Sequence, residues 1–153
     1  MLVRHSLLRR RRGALMVEAA LVIGIALLLT LGVIIVALGV YRYQQVASLA
    51  RQAARYASVH GGQYALDTGN SMATSSSVYS TIIQPGAVGL DSTKLSYSVT
   101  WDNATELPIY LANPATGQYL RNRVTVTISY TWIPEAYFGS VTLTSTSVME
   151  MSY

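Results

Sequence analysis

The sequence predicts an α+β protein in which a long N-terminal transmembrane/amphipathic helix packs on a small antiparallel sheet. Three patterns carry that expectation. Ala19 to Val40 is a run of 22 uncharged residues broken in polarity only by Thr30. The following segment repeats apolar residues every three or four positions, and the C-terminal half alternates apolar and polar residues with a period of two.

The apolar run comes first. At about 1.5 Å per residue it spans about 33 Å, the thickness of a hydrocarbon core. A secretory signal peptide is the competing reading. Such apolar regions usually run to about 7–15 residues and end in a small-x-small cleavage site, whereas this one continues into Tyr41-Arg42-Tyr43. Orientation follows from charge. Arg4 and the unbroken topology signal Arg9, Arg10, Arg11 and Arg12 precede Gly13, against Arg42, Arg51 and Arg55 on the far side. That bias places the N-terminus in the cytoplasm and the C-terminal domain outside. Tyr41 and Tyr43 suit an interfacial aromatic belt, though with eleven tyrosines in the chain their placement also has a chance reading.

Beyond the membrane surface, Val46, Leu49, Ala50, Ala53 and Ala57 share one helix face, while Gln45, Ser48, Arg51, Gln52 and Arg55 fill the others. One continuous helix is expected, ending at His60-Gly61-Gly62, where a glycine can close it in the left-handed conformation. Its amphipathic half must lie against something. Met72, Val78, Tyr79, Ile82 and Ile83 predict a short second helix over Ser71 to Gln84 that stops before Pro85-Gly86. Strands follow: Leu95, Tyr97, Val99 and Trp101 alternate with polar residues, as do Val124, Val126, Ile128, Tyr130 and Trp132. A third run, Val141 to Met151, alternates less cleanly. Connections this short imply an antiparallel meander, whose apolar face can cover the amphipathic helix. Asp102 to Asn122, with Pro108, Pro114 and Gly117, reads as a long surface loop; Asn103-Ala104-Thr105 within it matches a glycosylation sequon.

Composition excludes several functions. The net charge of +4 is confined to the leader: from Ala14 onward six basic residues face seven acidic ones, net −1, so nucleic acid is not an expected partner. The absence of cysteine removes disulfides and thiolate metal sites. His5 lies in the leader, and His60 at a helix end is expected to complement the dipole or face solvent. No catalytic constellation, phosphate loop or small-molecule site is discernible, and the acids are scattered except for Asp102 with Glu106. No enzyme activity, cofactor or metal is expected.

Glu18 remains to be explained. An ionised carboxylate near a bilayer centre costs about 2.5–3.5 kcal/mol. In the first turn of a helix, the positive dipole end and the headgroups would relieve that cost. A second reading comes from Gly13-Ala14-Leu15-Met16-Val17-Glu18, directly after four arginines, which resembles the processing site of type IV pilins and pseudopilins. The stretch Gly13 to Leu21, the segment Tyr43-Gln44-Gln45 to Ala57, and the strand Val124 to Pro134 resemble the TadE-like family of the tight-adherence (Flp) pilus machinery.

The resemblance implies a pilin-like fold and a prepilin peptidase that cuts after Gly13. The mature chain would start at Ala14, and Glu18 would pair with the N-terminal ammonium of a neighbouring subunit. It implies a pseudopilin or minor pilin acting in pilus biogenesis and cell adhesion, anchored in a bacterial inner membrane and then a candidate for an extracellular pilus. Its partners would be other pilins and pseudopilins and the Tad secretion machinery. The chain departs from the family's frequent aromatic residue after the glutamate by carrying Ala19.

The expected organisation is a leader at 1–13, a membrane helix at 14–41, its amphipathic continuation at 42–60 and an exoplasmic α+β domain at 61–153. Ala20, Gly24 and Gly32, at spacings of four and eight, are candidate helix-packing residues. The alternative function is an uncleaved single-pass protein whose outer domain scaffolds an envelope or secretion complex.

Overall fold

The computed structural model describes the backbone of residues 4–102, 110–112, 119–134 and 139–152, and the side chains of all of these except 4–12, 110–112 and 119–121. A single helix, α1, runs from Arg4 to Val59. The chain divides into two compact units, Met1–Leu38 and Gly39–Tyr153.

Within the first unit the described side chains belong to α1 alone. From Leu15 to Leu38 the large apolar side chains are exposed, Leu28 by 71% and Val33 by 69%, except for the half-buried Ile35. A helix apolar on every side has no face to hide in water and calls for an apolar surround. Gly13–Val59 contains the helix, among the described residues, that is long and apolar enough to cross a membrane.

The second unit is built around the amphipathic stretch of α1. Val46, Leu49, Ala50, Ala53, Ala54 and Ala57 are buried there. Alanine suits the position twice over, through its helix propensity and because a short side chain lets a sheet approach closely. The strands in chain order are β1 (Leu95–Trp101), β2 (Tyr110–Ala112), β3 (Tyr119–Arg121), β4 (Arg123–Trp132) and β5 (Val141–Glu150). The main sheet is antiparallel in the order β1-β4-β5. Its register pairs Val99 with Val126, Trp101 with Val124, and Tyr130 with Leu143, so the apolar sets predicted from alternation share one face. That face joins α1, Val78, Ile83 and Met151 in one core. On β5 the central inward positions opposite Val126 and Ile128 are Ser147 and Ser145, which is why that strand's pattern is blurred. The outer face is a lattice of hydroxyls, in which Thr127 bonds Thr146 at 3.0 Å and Ser129 bonds Thr144 at 2.9 Å.

Three expectations need correction. Helix α1 does end before Gly61, but not through a left-handed glycine. Gly61 is extended (φ −86°) and serves as N-cap of a further short helix, α2 (Gly62–Thr68); the left-handed closure falls at its C-cap, Gly69 (φ 71°).

The expected helix over Ser71 to Gln84 begins at Ser75, where Thr74 forms a capping box with Ser77, and it continues past Pro85. It runs as α3 (Ser75–Val78), a π-helical turn (Tyr79–Ile83) and α4 (Gln84–Gly86). The π turn restarts the hydrogen-bond pattern, so Pro85 falls in a first turn, where a missing N–H costs nothing.

Finally, the surface loop between Asp102 and Asn122 contains a short antiparallel pair, β2 with β3. Asn103, Glu106, Pro108, Pro114 and Gly117 lie outside the described residues.

Candidate functional site

Gly13, Ala14 and Glu18 all lie on the regular backbone of α1. Ala14 and Glu18 are four residues apart, about one turn, so they face the same side at a rise of about 6 Å. All three are exposed, and among the described residues no hydrogen bond or ion pair engages Glu18. Beyond the backbone of its own helix, a Cβ placed on Gly13 would meet nothing within 4 Å. Chemically, the junction presents a helical peptide bond between two exposed small residues and, about one turn beyond it, a carboxylate without a partner among the described residues.

The four arginines expected to set topology precede this bond on the same helix. Arg9, Arg10, Arg11 and Arg12 continue the backbone of α1 directly into Gly13, so no turn separates the charge run from the apolar run. The side chains of Arg9, Arg10, Arg11 and Arg12 lie outside those described, and their expected role rests on sequence position alone.

The candidate packing residues are also unobstructed. Gly24 and Gly32 would each accept a Cβ with nothing within 4 Å. At about 100° per residue, Ala20 and Gly24 sit about 40° apart, while Gly32 lies about 80° further round. The small residues therefore wind about the helix instead of forming one straight stripe. A shallow apolar notch opens at Gly32 between Leu28, Leu29, Val33 and Val36.

Other candidates resolve as structural. His60 stacks on Tyr56 with ring centroids 4.1 Å apart, and its Nδ1 lies 2.9 Å from the Tyr56 carbonyl oxygen. Nδ1 therefore donates to a terminal carbonyl of α1, the task expected of a polar side chain at a helix end. Tyr64 adds a tilted ring at 4.6 Å. Asp102 accepts from Arg123 Nε at 2.9 Å, and its backbone N–H bonds the Arg123 carbonyl. This acid fastens the end of β1 to the start of β4; its sequence neighbour Glu106 is outside the described residues. Among the described residues no group of three or more acids and histidines could hold a metal.

Sequence reasoning missed two contacts of α1 around the end of the apolar run. Arg42 Nη1 donates to the Gly89 carbonyl at 2.6 Å, and the Trp132 indole lies against Gly39, where a Cβ would come within 2.8 Å of the ring. The second left a faint signal, a glycine shortly before the tyrosines at the end of an apolar run.

In comparison with known families, residues 13–55 match the family model described as TadE-like protein. The match begins at Gly13 and takes in Glu18, the apolar run and most of the buried amphipathic face, in agreement with the resemblance drawn from the sequence. No curated protein and no solved structure matches the chain. The matched residues lie on the helix that, among the described residues, is long and apolar enough to cross a membrane, which suggests a membrane-anchored protein.

Proposed function

We propose that the chain is a pseudopilin or minor pilin of a tight-adherence (Flp, type IVb-like) pilus, made as a membrane precursor and cut after Gly13 by a prepilin peptidase. The observation that carries this is the family match starting at Gly13 itself. Arg9, Arg10, Arg11 and Arg12 hold the leader in the cytoplasm of a bacterial inner membrane with the C-terminal unit outside, and are removed with it. Cleavage creates an ammonium on Ala14. Glu18 then has a cation to meet on a neighbouring subunit, and the ion pair offsets part of the cost of desolvating each charge in an apolar surround. The chain acts through other pilins and the Tad secretion machinery, in pilus biogenesis and surface adherence.

Intact-mass measurement of the protein from a piliated cell tests this. A chain beginning at Ala14 is expected. A full-length chain retaining Arg9 to Arg12 would overturn the reading in favour of the uncleaved scaffold. Glu18→Ala separates the two roles of the junction: cleavage should persist while incorporation into the fibre is lost, and normal piliation would return Glu18 to a helix-end charge.

A further inference from the structure

The second unit is laid lengthwise along its part of α1. At one end Ser152 N donates to the Ser58 carbonyl at 2.9 Å, and Met151 N donates to the carbonyl of Asn122, next to the start of β4. At the other end Trp132, the last residue of β4, covers Gly39. From Gly39 to Ser58 the helix rises about 29 Å. Strand β4 covers about 33 Å, so strand and helix match in length.

The turn after α4 comes down the same helix. A Cβ on Gly86 would stand 2.6 Å from Leu49 Cδ2. Gln45 Nε2 reaches the Val88 carbonyl at 3.4 Å, and Arg42 reaches that of Gly89. Two separate segments therefore end at the level of residues 39–45, where the apolar run stops. Both end in exposed apolar side chains: Val88 is 76% exposed, Ile133 47%, and Val141, the cross-strand partner of Trp132, 45%. Tyr41 and Tyr43 stand exposed on α1 at the same level. Elsewhere in this unit, the large exposed apolar side chains among the described residues, such as Leu66 and Val148, are scattered.

We infer that this end of the domain is a lipid-binding rim, with the Val88 turn and the Ile133 and Val141 side chains seated in the headgroup–acyl boundary of the bilayer that the preceding residues span. Three points identify lipid as the occupant. The rim is continuous in the chain with a 22-residue uncharged run of membrane length. It gathers a tryptophan and two tyrosines, whose apolar rings and polar edges favour the interface. Its cation, Arg42, has no carboxylate partner among the described residues, and its guanidinium retains donors for a lipid phosphate. Docking of this kind would hold the domain against the membrane in one rotational setting. The inference rests on membrane anchorage and not on cleavage or pilus entry.

The absence of cysteine makes the test direct. Full-length Val88→Cys, Ile133→Cys, Leu66→Cys and Val148→Cys proteins, each with the circular dichroism of the parent, would carry a spin label in vesicles of phosphatidylcholine and phosphatidylglycerol. The expected result is a loss of collisions with a water-soluble nickel chelate, and a gain with oxygen, at 88 and 133 relative to 66 and 148. Equal nickel collisions at all four sites would overturn the proposal. So would protection at 88 and 133 that disappears when the protein is diluted into excess lipid, because a second copy would then be covering the rim.

Discussion

One helix contains two stretches that use small residues in opposite ways. Between residues 46 and 57, Ala50, Ala53, Ala54 and Ala57 are fully buried, because the chain supplies their partners in Val99, Val124, Val126, Ile128 and Ile83. Between residues 13 and 38, Ala20 and Gly24 are open to the surroundings, among large apolar side chains that, Ile35 apart, are more than 40% exposed. The charge pattern makes the difference. Arg51 and Arg55 limit the first stretch to a single apolar face, so it finds a sheet. The second is apolar all round, so it calls for an apolar surround. A small residue is a closed contact in one stretch and an open one in the other.

The largest expected effect comes from filling a closed contact. Ala53→Leu forces added methylenes between helix and sheet, and overpacking of this kind costs about 1–3 kcal/mol. Thermal unfolding of the full chain in micelles, followed by near-ultraviolet circular dichroism, should show the loss; an unchanged midpoint would mean that the sheet is not held tightly on α1. A change of similar bulk at an open position should do less. Gly24→Leu is expected to leave the unfolding of the Gly39–Tyr153 unit within about 0.5 kcal/mol, as for surface positions without a partner. It should nevertheless weaken helix association in the membrane, read as lower cross-linking between copies or reduced piliation. A lowered midpoint for Gly24→Leu would erase the contrast between the two stretches, and undiminished association would remove Gly24 as a packing residue.

The same contrast explains what the sequence can disclose. Periodicity reveals which face is apolar, so α1, its end near Val59, and the apolar faces of β1 and β4 are all legible. Residues whose role depends on a partner far along the chain are not. Nothing local to Pro85 says that a π turn precedes it, and only that turn lets the helix run on. Gly61 reads as a left-handed stop because its own neighbours cannot show that a second helix starts immediately and takes it as N-cap. The hairpin of β2 and β3 pairs only three residues on each side, too few for alternation to register. At the junction, Gly13 and Glu18 are legible as a spacing, since a short motif at a fixed distance from the run Arg9-Arg10-Arg11-Arg12 survives in one dimension. The Trp132 contact with Gly39 joins residues far apart in the chain and does not.

The smallest expected effect lies at Asp91, on the exposed turn between the α4 segment and β1. Its carboxylate accepts from the Thr93 hydroxyl at 2.7 Å and the Thr93 backbone N–H at 3.0 Å, with Lys94 Nζ at 3.6 Å. These bonds, the Thr93 hydroxyl foremost, stabilise the ionised form and hold the carboxyl below its ordinary value, with the nearby lysine a lesser cause. Because the folded value is depressed, the stabilisation is present above the ordinary carboxylate value of 3.8 and is lost as pH falls through the lower folded value. Unfolding midpoints should therefore be insensitive to this group at neutral pH and fall slightly only in acid. The solvent-exposed position of the carboxylate keeps the effect small. Asp91→Asn should remove this group's contribution to the acid limb while leaving the Ala53 and Gly24 results untouched. A large loss of stability at neutral pH in Asp91→Asn would instead show that this turn, and not the alanine face, governs how the sheet is held.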